Sequence, residues 1–534
     1  MHVFLKDVFK GYFMKIWVFG IFLWLLSAHD PAVQMDDGTI ERIRTQSLDS
    51  SLVMDYLFYL TEAVGPRLTN STGYIRASRW AVQALNELGF QSKLEPYGEF
   101  GRGWDLKAFH ATMTKPYVMP LIAFPRAWSP GTNGTAKGRV VYIAEMGLDE
   151  VKQKWQGKLK GKIVLFGKPS AVVSSFEAFA SRWTDSALAA MAVDSGESAV
   201  SWREQARRSP WYQAYRERQK IISWLDSQQP AVIIQGGDPR GKGAHGTVFV
   251  QQAARPLSEN DDPFADSSTP IYGKQSPLHA AQVAVASEHY NTMARLAEHG
   301  MTVEMECRVD VQFVDHDLQG YNVIAEWEGS DRKDEVVMVG AHLDSWQSST
   351  GTTDNAANCA TIMEALRILK TLGTAPRRTI RLILWTGEEQ GLFGSKGYVA
   401  NHFGNASDKK PGFDKLVAYF NLDNGAGQIR GIYAENDRRV AATFAEWLRP
   451  FNDWGAGTVT LKSVGSTDHE SFQKAGLPGF QFIQDPLDYH TRAHHSNMDT
   501  YDRVIPQDVK RNAAIVAYFI WMAATSEKKL AESK

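Results

Sequence analysis

Only two cysteines, Cys307 and Cys359, occur in 534 residues. Two thiols cannot build a disulfide framework or a cysteine-rich zinc site, so each is read as a small core residue. Charge of one sign is also missing. The formal net charge of −2 gives no electrostatic reason to expect nucleic acid or an anionic membrane as partner. Apolar runs long enough to span a bilayer are absent. The run at 16–26 is too short to cross comfortably. Lys6, Lys10 and Lys15 precede it, and Ser27 and Ala28 follow. That order reads as a secretory signal over 1–28, with Met14 an alternative start, and implies a secreted or periplasmic protein.

Three motif readings also fail. Gly241 to Gly246 has the glycine spacing of a dinucleotide loop, but the strand-like 247–251 follows where a helix is needed. His469-Glu470 opens like a zincin helix, but Gln473 stands where the second histidine belongs. No serine lies between glycines two residues either side, so the nucleophile elbow of an α/β hydrolase is missing.

What is present suits a folded chain. Hydrophobic residues make up 43% and charged residues 22%, ordinary for a globular protein, and the length calls for more than one core. Apolar residues at three- and four-residue intervals predict helices over 52–64 and 75–88. Turn-formers at 125–134 open a different region. Strand-like runs follow at 139–144, 162–166, 231–235 and 247–251, interrupted over 174–227 by two or three helices carrying Trp183, Trp202, Trp211 and Trp224. These tryptophans are read as packing for the region's own core. From about 320, strands at 336–341, 379–386, 416–422 and 480–483 alternate with helices at 355–372, 438–448 and 509–524. The expected fold is α/β: a mostly parallel sheet flanked by helices, with an inserted, mostly-β domain that carries a helical excursion. The expected divisions are 45–124, the insertion at 125–300, and 301–525.

Five segments of the last region carry metal-binding side chains. His342 and Asp344 follow a strand. Asp354 starts a helix. Glu388 and Glu389 follow the next strand, Asp423 ends another, and His494 and His495 lie after the last. In open α/β sheets, loops beyond the carboxyl ends of strands converge on one crevice. Any one of these residues alone is more simply a helix cap, as Asp354 would be, or a surface group. The adjacent pair Glu388-Glu389 changes the balance. Two neighbouring carboxylates at a buried strand end are costly unless a cation offsets them. One can bind metal while the other stays free as a base. Two imidazoles with several carboxylates suit a pair of zinc ions.

AHLDS, TTDNAAN, WTGEEQGLFGS, NLD and HHSNMDT resemble, in order and interval, the five motifs of the di-zinc aminopeptidases. KLKGKIVLF is similar to a stretch of the protease-associated domain inserted in several members. The resemblance implies two Zn2+ per chain. Asp354 would bridge them, His342 and Asp423 would complete one site, and Glu389 and His495 the other, with His494 as alternative. Glu388 would be the general base. Asp344 would hold the His342 imidazole, and His469 would stabilise the tetrahedral intermediate. The implied activity is that of a secreted exopeptidase acting on short peptides with a free N-terminus; a homodimer is compatible with it. Two competitors share the fold: a one-zinc transferase of the glutaminyl cyclase type, and a receptor-like binding protein without metal. Three sequons, at Asn70, Asn133 and Asn405, are acceptors for glycans on a eukaryotic secretory route.

Overall fold

A computed structural model describes residues 37–144, 146–172, 174–194, 207–237, 245–257, 270–275 and 278–530. The 1–28 leader, Trp202 and most of the 241–246 glycine run lie outside them. Two eight-stranded sheets organise the chain.

The first sheet runs Gln91–Glu99, Gln319–Trp327, Arg378–Trp385, Arg332–His342, Leu416–Asn421, Gly479–Gln484, Ile429–Tyr433, Thr458–Thr460. The four strands from Arg378–Trp385 to Gly479–Gln484 are parallel, so their carboxyl ends share one edge. Their near-continuous apolar sequences follow from burial on both faces. Val337, Val339 and Ala341 face the helices Ala357–Thr371 and Pro506–Thr525. Met338 faces the other way, with Trp385, Tyr398, Tyr419 and Phe472. Helix Pro506–Thr525 has proline in its first turn, where the missing N–H costs nothing. Cys359 is buried in this core and its thiol donates to His342 O at 3.1 Å.

The second sheet runs Met119–Pro120, Gly103–Lys115, Glu304–Val314, Ala136–Ile143, Ile163–Phe166, Val232–Gly236, Ala281–Val285, Ala123–Pro125. It draws its long antiparallel pair, Gly103–Lys115 with Glu304–Val314, from either side of 125–300. Its middle is parallel and interleaved with helices Leu148–Trp155, Pro210–Ser227 and Ser287–Glu298. The region is therefore more helical than a mostly-β reading anticipates. Residues 247–251 form no strand of this sheet, because they hydrogen-bond to the loop at 495–497 of the other half.

The tryptophans of the 174–227 segment divide. Trp224 packs on a core cluster under the second sheet, with Val164, Ile233 and Leu225. Trp211 is half exposed and stacks on Tyr215. Trp183 instead fastens the segment to the first sheet: its indole donates to Gln484 O and its backbone N–H to Asp485, both at 2.9 Å. Asp485 is buried between Arg182 at 2.8 Å and Arg430 at 3.1 Å. Asn70 is buried, its amide donating to Gly101 O and Gln319 O, so that sequon offers no acceptor. Asn133 and Asn405 are exposed.

Arg67 ties the amino-terminal helices to the loop that leads into Asp354. It is fully buried, and its guanidinium donates to the carbonyls of Leu343, Leu60, Thr350 and Gly351 at 2.6–2.8 Å. Four inward carbonyls there depend on one side chain. Breaking a buried, hydrogen-bonded charge costs about 3–5 kcal/mol. Arg67→Met is predicted to lower unfolding free energy by that amount in urea titration; a loss under about 1 kcal/mol, the scale of a surface change, would contradict the clamp.

Candidate metal centre

The shared edge of the parallel strands positions the candidate side chains. His342 is the last residue of its strand and lies level with Trp385 on the neighbouring one. Asp423 follows Asn421, which lies level with Gly340. Only glycine fits at 340, since a Cβ there would stand 2.6 Å from Tyr419 Oη and 2.7 Å from Trp385 Nε1. Those two groups hydrogen-bond each other at 2.6 Å. Asn421 continues inward by donating to Thr467 at 2.9 Å and Gln481 at 2.7 Å. A buried polar chain thus stiffens the strand end that presents Asp423.

His342, Asp354, Glu388, Glu389, Asp423 and His495 come together. His342 Nε2 stands 3.2 Å from Asp354, 3.4 Å from Asp423 and 4.0 Å from Glu388. His495 Nε2 stands 2.9 Å from Glu389 and 3.3 Å from Asp354. Asp354 therefore faces both halves, one oxygen toward each imidazole. His494 is farther, 4.0 Å from Asp354, so His495 is the better placed of the two. His469 is fully buried away from these contacts, with Nε2 2.9 Å from Val464 O and 3.3 Å from Glu435.

Backbone ties set this geometry. The ring of His342 meets the main-chain carbonyl of Asp344 through Nδ1 at 2.9 Å; the Asp344 carboxylate is 3.7 Å away. The carbonyl, rather than the expected carboxylate, fixes the tautomer. The carboxylate instead accepts from the backbone N–H groups of Glu388 and Glu389, both at 3.4 Å, and from Thr69 at 3.0 Å. Gly387 makes that turn at φ +66°, and a Cβ there would press on Tyr97 Oη at 2.9 Å. Asp499 does the same work for Asp354, accepting from the N–H of Thr353 at 2.6 Å and of Asp354 at 3.1 Å. Asn421 and Asp499 stand inside the NLD and HHSNMDT motifs, but sequence reading gave them no supporting role, and it did not single out Thr69 or Tyr419.

Electrostatics shows what the cluster needs. Burial pushes the Glu388 carboxyl well above the usual range, with Asp423 and Asp468 adding to it while His342 opposes. Burial does the same to Glu389, with Asp354 adding. Burial opposes charge on His342, but Asp423 and Glu388 prevail and raise its pKa well above normal. Asp499 is pushed up to about 7 by burial and by Asp354. Among the described residues, buried Asp354 Oδ2 and Glu389 Oε1 accept no hydrogen bond. Candidate ligand atoms of His342, Asp354 and Glu389, and of His342, Glu388 and Asp423, lie within 4.8 Å of one another. Imidazole and carboxylate donors with unspent lone pairs fit a divalent cation of the zinc kind.

Residues 322–520 match Peptidase family M28. Human carboxypeptidase Q is 31% identical over 249 residues, 47% of this chain and 51% of that protein. Leupeptin-inactivating enzyme 1 of Streptomyces exfoliatus is 30% identical over 229 residues, 39% of this chain and 50% of that one. The match thus spans about half the length of these curated relatives. In fold, the chain is similar to a peptidase M28 precursor from Shewanella amazonensis, with TM-score 0.63, 23% identity, and 92% and 97% of the two chains covered. It is also similar to a zinc aminopeptidase from Bacillus subtilis, with TM-score 0.51, 16% identity, and 89% and 95% covered. All six converging side chains fall inside the span, residues 322–520, that matches peptidase family M28.

Proposed function

We propose that this chain is a di-zinc exopeptidase that hydrolyses short peptides from a free N-terminus. The observation that carries the reading is the meeting of four carboxylates and two imidazoles, with Asp354 between two histidines at 3.2 and 3.3 Å. His342, Asp354 and Asp423 would hold one ion, and Asp354, Glu389 and His495 the other. Zinc bound there supplies an acidified water and polarises the scissile carbonyl.

The remaining steps belong to side chains. Glu388 lies on the His342 side of the cluster and is left out of both ligand sets. It takes the water's proton on a carboxylate oxygen and returns it to the leaving amine, first base and then acid. Asp344 holds the turn that presents Glu388 and Glu389, and Asp499 holds the one that presents Asp354. The part proposed for His469 in stabilising the tetrahedral intermediate rests on resemblance alone: its Nε2 is engaged with Val464 and Glu435, and among the described residues its buried Nδ1 meets no hydrogen-bond partner. Among the described residues no helix is long and apolar enough to cross a membrane. The charged and apolar leader at 1–28 supports export.

Glu388→Ala is expected to bind zinc as the parent does and to lose about 10²–10⁴-fold in kcat, the usual span for a general base. Retention of most activity would remove Glu388 from that role. Metal analysis of the parent should give two zinc ions per chain. One would favour the cyclase-type transferase, and none the binding protein. Among dipeptides and longer peptides with either end blocked, cleavage should require a free N-terminus. Hydrolysis of N-blocked substrates would sink the aminopeptidase reading.

A further inference from the structure

The inserted half of the molecule reaches the candidate centre through residues 246–251. Val250 N–H donates to His495 O at 2.9 Å, and Asn497 N–H to Val248 O at 3.1 Å. The Asn497 side chain accepts from Val248 N–H at 2.7 Å and donates to Gly246 O at 3.2 Å. His495 itself sits at φ +59°, a region that a non-glycine residue keeps only when its surroundings hold it there. These bonds are the holding contacts. The next side chain along is Gln251, whose amide nitrogen lies 3.0 Å from Nδ1 of His495. The opposite ring nitrogen, Nε2, faces Glu389 and Asp354.

We propose that Gln251, contributed by the inserted region, is a positioning residue for the metal ligand His495. An imidazole that binds a cation through Nε2 must carry its proton on Nδ1, and that proton needs an acceptor. With the NH2 group toward the ring, Gln251 donates to Nδ1, which places the proton on Nε2 in the metal-free state. A half-turn of the same amide presents Oε1 and accepts Nδ1–H, which frees Nε2. Glutamine satisfies both tautomers from one position. The main chain of Gln251 is itself anchored, its carbonyl accepting from Gln347 at 3.4 Å, and Gln347 also donates to Pro125 O at 3.0 Å. His342 meets an acceptor in the Asp344 carbonyl, two residues along its own chain, whereas His495 Nδ1 meets Gln251 from the other half of the fold. One metal site is therefore conditional on the insertion and the other is not.

The inference rests on the two-zinc reading, and the test separates the two. Full-length, metal-stripped protein is titrated with zinc against a chromophoric chelator, for the parent, Gln251→Leu and Gln251→Glu. Gln251 is exposed, so neither change opens a core, and equal melting of the metal-free proteins checks this. Leucine offers no acceptor and should weaken one of the two sites by about 10–100-fold, the range for loss of such a partner, leaving the other unchanged. Glutamate only accepts and should keep parent affinity. Two undisturbed sites in Gln251→Leu would overturn the proposal. Equal losses in both variants would overturn it too, since the contact would then matter as packing. A parent that binds fewer than two ions would overturn the two-zinc reading, and this inference with it.

Discussion

Asp354 stands between His342 and His495, and the charge gathered around it is the constraint to which the rest of the fold answers. Glu388, Glu389 and Asp423 crowd the same edge. Two imidazoles cannot neutralise four carboxylates. An unpaired buried carboxylate costs several kcal/mol, and the upward pKa shifts of Glu388 and Glu389 express that cost. Such a site is stable as built only if cations enter it or protons stay on it. The buried oxygens of Asp354 and Glu389 that accept no hydrogen bond favour cations.

The architecture can be understood as support for that edge. Parallel strands bring their carboxyl ends into register, which delivers His342, Glu388 and Asp423 side by side. Helix Ala357–Thr371 is buried along most of its length, so the Asp354 turn that precedes it cannot drift. The loop turns then need fixing one by one, and polar ties do it: Asp344 for Glu388-Glu389, Asp499 for Asp354, Arg67 for the chain leading in, residues 246–251 for His495. Each tie is a backbone hydrogen bond to a buried side chain or to another backbone. Hydrogen bonds contribute about 1 kcal/mol each when made and cost more when left open. Their value here is in direction, because ligand geometry tolerates errors of only tenths of an ångström.

The four parallel strands of the first sheet, with His342, Glu388, Glu389 and Asp423 at or just past their ends, were legible because each lies in or beside a short apolar run. Burial on both faces writes such a run into contiguous sequence. The ties were not legible. Arg67 meets Leu343 O across 276 residues, and Gln251 meets His495 across 244. No local pattern marks either. The 247–251 run has the β-branched residues of a strand, but its partner is an irregular loop, so it makes only the isolated bridge of Phe249 to Ser496. The second sheet extends past 125–300 because Gly103–Lys115 and Glu304–Val314 pair with each other. Trp183 read as core, yet its indole N–H needed an acceptor, and Gln484 O supplied it.

The central claim is that these six side chains form one two-ion centre with Asp354 shared. Anomalous diffraction at the zinc edge, from crystals of the parent grown with zinc, tests it most directly. The account predicts two peaks per chain about 3.5–4 Å apart, one among His342, Asp354 and Asp423 and one among Asp354, Glu389 and His495. A single peak, or two peaks that do not share Asp354, would contradict it.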